Sequence, residues 1–465
     1  MINIDLETFR RTMPPPLEPR PLNLPQATQT TLPSGLEIVM IEERRLPIVS
    51  VRLCFRAGDV NDPADVPGLS DLMTHLLTEG TENRNSREIA EAVERLGAVL
   101  NVGSSSDFTT VAASALSIYT DEILDLLVDV TLNATFPENE VELARENTKQ
   151  LLIQQRAQPT FLASERIAQV MFGEHPYARV APTTESLDRM TRKAFIDFRG
   201  STFLPNNAVL IVVGDVNCER IVSRIEGLFS GWKRGIPPGL SPAKPPARSA
   251  RNAYIVDRPG SAQSNIVIAT DGITRTSEDY FPMLLMHTVL GANASSRLFM
   301  NLREHKGYTY GAYSTLDARR LAGTFRTTAE VRTPVTGASL QEFFYELNHI
   351  RDEAVSEEEL QNAKSYLTGV FPIRIETQEG LIEQLVNIKM FDLPEDYLHN
   401  YRDRVMEITA EDIQRVARKY LVLDEAAVVI VGDGAEIEPQ TKPFAGKIEW
   451  YDTEGRKQTA VSSRQ

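Results

Sequence analysis

The sequence is poor in the residues that redox, disulfide and nucleophilic chemistry draw on. Among 465 residues there are two cysteines, Cys54 and Cys218, neither with a Cys or His at metal-ligand spacing. That argues against a disulfide framework or a thiolate zinc module and predicts buried free thiols. Histidines number six, and His175, His287, His305, His349 and His399 are scattered with no serine or cysteine nucleophile signature around them. No run approaches the ~20 apolar residues that a membrane-spanning helix requires. Basic charge is in short supply too: 49 Lys and Arg face 64 Asp and Glu, for a formal charge of -15. Such a chain repels phosphate backbones and anionic lipid surfaces, so neither nucleic acid nor a membrane is an expected partner. The opening MINIDLETFRRTMPPPLEPRPL lacks the apolar segment of a signal peptide. It reads as cytoplasmic, or as periplasmic if an export signal was replaced by the initial Met.

What the chain does have is length and 42% hydrophobic residues, enough for two or more cores. Periodicity stops at KRGIPPGLSPAKPPARSARN, where Pro, Gly and Ser concentrate. On either side of it lies a repeat. MTRKAFIDFRGSTFLPNNAVLIVVGD, ending at Asp215, aligns without gaps to ITAEDIQRVARKYLVLDEAAVVIVGD, ending at Asp433. In both copies a Thr (Thr191, Thr409) stands at an N-cap, amphipathic turns follow, and an apolar run ends at Gly-Asp. Such runs belong in the middle of a sheet. The expected layout is a flexible leader over 1–25, an N-terminal domain over 26–232, a linker over 233–252, a C-terminal domain over 253–446 and a tail over 447–465.

Within the halves, GLEIVMIEERRLPIVSVRLCFRAG alternates as a hairpin would, and NSREIAEAVERLGA predicts a helix capped by Ser86 with Ile89, Val93 and Leu96 on one face. VLNVGSSSDFTTVAASAL is strand-like, and EVELARENTKQLLIQQRA and SEEELQNAKSYLTGVF are long helical patterns. The fold class is α+β: two homologous halves, each with helices packed on a mainly antiparallel sheet. VVGD and IVGD end strands and lack the glycine spacing of a phosphate loop. Met283 to Met286 read as core.

The stretch GLSDLMTHLLTEGT, 68–81, is an amphipathic helix running into a glycine turn, with Asp71, Thr74 and His75 at helical spacing. With LPSGLEIVMIEERRLPIVSVRLCFRAGDVND, SREIAEAVERLGAVLN, FLPNNAVLIVVGD and ANASSRLFMNLREHKGYTYGAYS, it makes nearly the whole chain resemble the pitrilysin, insulinase and mitochondrial processing peptidase family of zinc peptidases. Active members carry His-x-x-Glu-His on this helix. Two histidines four apart share a face and reach one Zn²⁺, and the glutamate activates its water. Here the matching positions are Asp71, Thr74 and His75, and the family's third ligand falls at Leu151, beside Gln150. A catalytic zinc needs three protein ligands and a base, and a threonine and a leucine supply neither. Asp71 and His75 alone would make a weak site, and the expected number of metals bound by this chain is none.

The resemblance also implies what is kept. Some bacterial members work as two subunits, one bearing the zinc motif and the other an Arg and Tyr pair in the second half, spaced as in Leu-Arg-(six residues)-Tyr. NLREHKGYTYG places Arg303 and Tyr310 at that spacing, with Tyr308 and Tyr313 close by. Guanidinium and phenol donors aimed at a developing oxyanion stabilise the transition state more than the ground state. The implied role is a non-catalytic subunit of a heteromeric zinc peptidase, half of a clamshell chamber, that supplies Arg303 and Tyr310 in trans to a partner's zinc. Its substrates are short or unfolded peptides held as an added strand at a sheet edge. GANASSRLF lacks the glycine-rich loop of the mitochondrial non-catalytic subunit. Two alternatives carry different expectations: an inactive peptide-binding or structural homodimer, and a self-sufficient metallopeptidase with unusual ligands.

Overall fold

The structure is a computed structural model that describes residues 23–459. The leader expected over 1–25 lies almost wholly outside the described residues. In the first half, strands β1 (Thr28–Thr31), β2 (Glu37–Glu42) and β3 (Ile48–Phe55) are followed by helices α1 (Leu69–Leu76) and α2 (Ser86–Arg95). Strands β4 (Val99–Ser104) and β5 (Thr109–Leu116) come next, then α3 (Thr120–Leu132), α4 (Glu138–Arg156), α5 (Pro159–Phe172), α6 (Thr184–Arg189) and α7 (Arg192–Thr202). Strand β6 (Ala208–Gly214) and α8 (Cys218–Leu228) close the half.

The sheet order is β1-β2-β6-β3-β5-β4. The hairpin expected from 35–58 does not form: β6 lies between β2 and β3, parallel to the first and antiparallel to the second. The reason is β6 itself. Every residue of AVLIVVG is buried, so the strand needs neighbours on both edges as well as cover on both faces. The link 43–47 only has to step across one strand, about 10 Å, which its length allows. The helix at 86 is capped by Asn85, not Ser86. Asn85 Oδ1 accepts from Glu88 N at 3.0 Å while Glu88 returns the bond to Asn85 N at 2.9 Å, which leaves Ser86 at the first helical position.

The second half repeats the plan. Strands β7 (Asn252–Asp257) and β8 (Gln263–Asp271) precede α9 (Tyr280–Gly291), a helical turn Arg297–Phe299 and a π-turn Met300–His305. Then follow β9 (Thr309–Ala318), β10 (Gly323–Arg332), α10 (Thr336–Asp352), α11 (Glu357–Ile375), α12 (Gln378–Met390), α13 (Tyr397–Glu407) and α14 (Ala410–Tyr420). Strand β11 (Ala427–Gly432), α15 (Gly434–Thr441), β12 (Lys447–Tyr451) and β13 (Lys457–Gln458) end the described chain. The order β13-β12-β7-β11-β8-β10-β9 puts β11 where β6 sits and β9 where β4 sits. In each sheet most pairs are antiparallel. Thr191 and Thr409 cap α7 and α14, accepting from Ala194 N and Asp412 N at 3.3 and 3.2 Å. The segment expected as a tail from 447 is a strand of the sheet, parallel to β7, because Trp450 and Tyr451 have apolar surface to bury there.

The halves cover each other. Leu210 and Val212 of β6 face the first half's own helices, among Leu72, Met73, Ile123 and Phe195. The alternate residues Val209, Ile211 and Val213 belong to the second half's core, where α12 lies against β6 and β3. Reciprocally, α5 sets Leu162, Ala163, Ile167 and Met171 on Val267, Ala269, Val429 and Val431 of β8 and β11. Buried polar contacts complete the junction. Tyr177 donates to Asp107, whose other oxygen accepts from Arg320 N at 3.0 Å, while Arg319 donates to Ser106 Oγ at 3.0 Å.

Candidate active site

Helix α1 is set by residues upstream of it. Gly68 adopts a left-handed φ of 89° at the N-cap and has no side chain to cap with. Asp62 does that work from the preceding loop, accepting from Gly68 N at 2.7 Å and Ser70 N at 2.9 Å. Ser70 in turn donates to Asp59 at 2.9 Å. Burial pushes the Asp62 carboxyl up to about 7 against the backbone donors that pull it down, and burial also raises Asp59.

The candidate metal positions fall on this helix and on α4. Asp71 and His75 are exposed on one face, one turn apart. Thr74 is 1% exposed and its hydroxyl donates to Asp71 O at 2.7 Å, so it neither reaches solvent nor carries a base. Leu151 does come to His75: both line a groove of about 330 Å³ between α1 and α4, with Leu72, Leu76 and Leu143. Leu151 is 51% exposed there. His75 and Leu151 thus face one groove while Asp71 lies outside its lining, and the side chains at the three positions are a carboxylate, an imidazole and an isobutyl group. This donor set does not fit zinc. Among the described residues no three His, Cys, Asp or Glu side chains are placed to hold one ion.

In the second half, Arg303 lies in the π-turn and Tyr310 at the start of β9, an edge of the sheet. The β9–β10 register slips between Ala329 and Val331, so Tyr310 and Gly311 together oppose Glu330. This bulge turns Tyr310 outward, where it is 90% exposed. Thr309 Oγ1 pins it, within 2.6 Å of Glu330 O and 3.1 Å of Gly311 N. The guanidinium of Arg303 stands 4.8 Å from the centre of the Phe299 ring and 3.6 Å from the Glu304 carboxylate. Phe299 also packs on Tyr313, with ring centroids 5.7 Å apart, and the Tyr313 ring lies so close over Gly311 that a Cβ there would come within 2.6 Å of it. Tyr313, not Tyr310, therefore shares the platform under Arg303. Both tyrosines and the arginine remain available as donors to a bound oxygen anion.

Sequence reading missed Asp62, Phe299 and Gly311. Asp62 carries no helix-cap signature because it lies six residues before Gly68. Phe299, four residues before Arg303, had a usable signal, since that spacing stacks a guanidinium on an aromatic ring. His287, set aside from the sequence, is half-buried under β9 with Nδ1 2.7 Å from Ser314 Oγ, and desolvation lowers it to about 4. It is a neutral packing group. Cys54 is buried and Cys218 half-buried, both as free thiols.

Comparison with known proteins agrees with this anatomy. Residues 37–184 match the insulinase (peptidase family M16) description, and residues 189–367 match the peptidase M16 inactive domain. An uncharacterized zinc protease of Mycobacterium leprae is 25% identical over 86% of this chain and 91% of its own length. One of Bacillus subtilis is 22% identical over 87% and 98%. Among solved structures, the peptidase M16 inactive domain from Pseudomonas fluorescens superposes with a TM-score of 0.82 at 25% identity, covering 87% of this chain and 98% of that one. A protease from Helicobacter pylori gives 0.82 at 20% identity, covering 88% and 100%. Duplicated halves, the matches over 37–184 and 189–367 and similarity over 86–88% of the chain all lead to one assignment: the chain belongs to the peptidase M16 family.

Proposed function

We propose that this chain is the non-catalytic subunit of a heteromeric M16 zinc peptidase, closing a chamber against a zinc-bearing homologue. The observation that supports it is a contrast between the halves. The first half presents Asp71, Thr74, His75 and Leu151 where three ligands and a base would be needed, while the second presents Arg303 and Tyr310 as exposed donors at a sheet edge. Strands β4 and β9 are the edges at the same end of each sheet order, and an extended peptide pairs with such an edge through backbone hydrogen bonds. In this reading the hydrolytic metal chemistry belongs to the partner. Arg303 and Tyr310 bind the scissile carbonyl and donate to the oxygen as charge develops on it. No helix among the described residues is long and apolar enough to cross a membrane.

The test pairs this chain with the M16 homologue from the same genome that carries an intact His-x-x-Glu-His motif. The mixture cleaves an unfolded peptide and neither chain alone does. Arg303→Ala lowers kcat by about a hundredfold, the loss of one oxyanion donor worth ~3 kcal/mol. Cleavage by the partner alone at the full rate, or an Arg303→Ala mixture as fast as the wild type, overturns the reading and leaves a structural homodimer.

A further inference from the structure

The duplication places α9 and α11 of the second half where α1 and α4 stand in the first, and a cavity lies between them there too. It measures about 360 Å³, the size that takes a small organic molecule. Its walls differ in kind from the groove beside His75, which leucines line together with the carboxylates Glu79 and Glu140. Arg275 and Arg374 line it, and among the described residues neither guanidinium is ion-paired to a carboxylate. Arg275 donates to the Tyr397 oxygen at 2.8 Å and lies 3.8 Å over the Tyr280 ring, which holds it facing the cavity. Tyr401 stacks on Phe371 at 4.2 Å, and Tyr366 with Leu284 and Leu316 completes an aromatic and aliphatic body. Burial raises both Tyr397, to about 12, and Tyr401, so both remain protonated donors. Glu383, exposed, is the one carboxylate in the lining.

Two guanidinium groups with no carboxylate partner among the described residues, in the lining of a ring-walled space, make a site for a compact anion with an apolar body. We propose that this cavity binds a small monocarboxylate bearing an aromatic or branched aliphatic group, with the carboxylate on Arg275 and Arg374 and the apolar group among the tyrosine rings. Inorganic phosphate would meet the arginines but leave the rings unfilled. The same chemistry has two sources, a free organic acid or the C-terminal residue of a peptide. The lining shares no residue with the Arg303 and Tyr310 surface.

Isothermal titration calorimetry on the purified chain tests this with phenylacetate, N-acetylphenylalanine, N-acetylphenylalaninamide and inorganic phosphate. Both carboxylates saturate the protein, and the amide and phosphate bind at least about tenfold more weakly. Arg374→Gln, at an exposed position whose side chain makes no hydrogen bond or ion pair among the described residues, weakens the carboxylates about tenfold while the thermal unfolding midpoint stays put. Tighter binding of N-acetylphenylalanine identifies a peptide C-terminus as the ligand, and tighter binding of phenylacetate a free acid. An amide that binds as well as the acid, an Arg374→Gln protein with unchanged affinity, or no saturation by any of the four overturns the proposal.

Discussion

Because α5 covers the second half's sheet and α12 the first half's, the two halves should unfold as one unit. Ile167 of α5 is a sharp probe, being 1% exposed and packed among residues of β8 and β11. Ile167→Ala removes three aliphatic carbons, ~0.8 kcal/mol each or ~2.4 kcal/mol of transfer energy. The void left between a helix and a sheet that cannot close fully raises this to ~3–4 kcal/mol. The chain's two tryptophans report on different halves. Trp232 packs on Phe55 and Phe229 in the first core, and Trp450 sits in β12 of the second sheet. Trp232→Phe and Trp450→Phe therefore give single-reporter proteins for urea unfolding followed by fluorescence. Ile167→Ala lowers the midpoint by the same amount at both reporters. A shift seen by Trp450 alone would mean that each half is stable without the other's helix, and the interlock argument fails.

Three further outcomes follow from named contacts. Asp71→His with Leu151→Glu, added to His75, supplies three donors on facing surfaces of α1 and α4, so the double variant binds one Zn²⁺ by calorimetry while the wild type does not; failure to bind would show that the two helices no longer hold ligand spacing. Burial raises Asp62 from its ordinary 3.8 to about 7, so the folded state holds an extra proton between those values. Its contribution to stability is then present at low pH and is lost as pH rises toward 7. Asp62→Asn removes that slope, and urea midpoints at pH 5 and pH 8 draw closer than in the wild type; equal slopes would refute the assignment. Gly311→Ala puts a Cβ against the Tyr313 ring, lifts it from Phe299, and costs ~1–3 kcal/mol in thermal unfolding. An unchanged midpoint would show that the ring moves freely.

The elements whose cause is local were legible in the residues. The apolar runs at 208–213 and 426–431 are central strands, since a segment with no polar face has nowhere else to go. Thr191 and Thr409 cap their helices because a hydroxyl at that position satisfies a free N–H wherever the helix lies. The alternation at 35–58 was equally real, but a period of two fixes only which residues share a face, not which strand lies alongside. Pairing was therefore misread, and β6 entered from 150 residues downstream. The strand at 447–451 escaped notice for a similar reason, since its partner β7 lies far back along the chain.

The residues alone determined which side chains stand at positions 71, 74, 75 and 151, because ligand identity is a property of side chains: no fold turns Thr74 into a base or Leu151 into a ligand. They also determined the family and the doubling of the halves. Tertiary structure decided what those residues face. Only packing brings Leu151 beside His75, turns Tyr310 out through a bulge, sets Phe299 beneath both Arg303 and Tyr313, and gathers Arg275 and Arg374 into the lining of one cavity. Each of these depends on contacts between segments distant in sequence, whose geometry is fixed by burial across the two halves and leaves no local pattern to read.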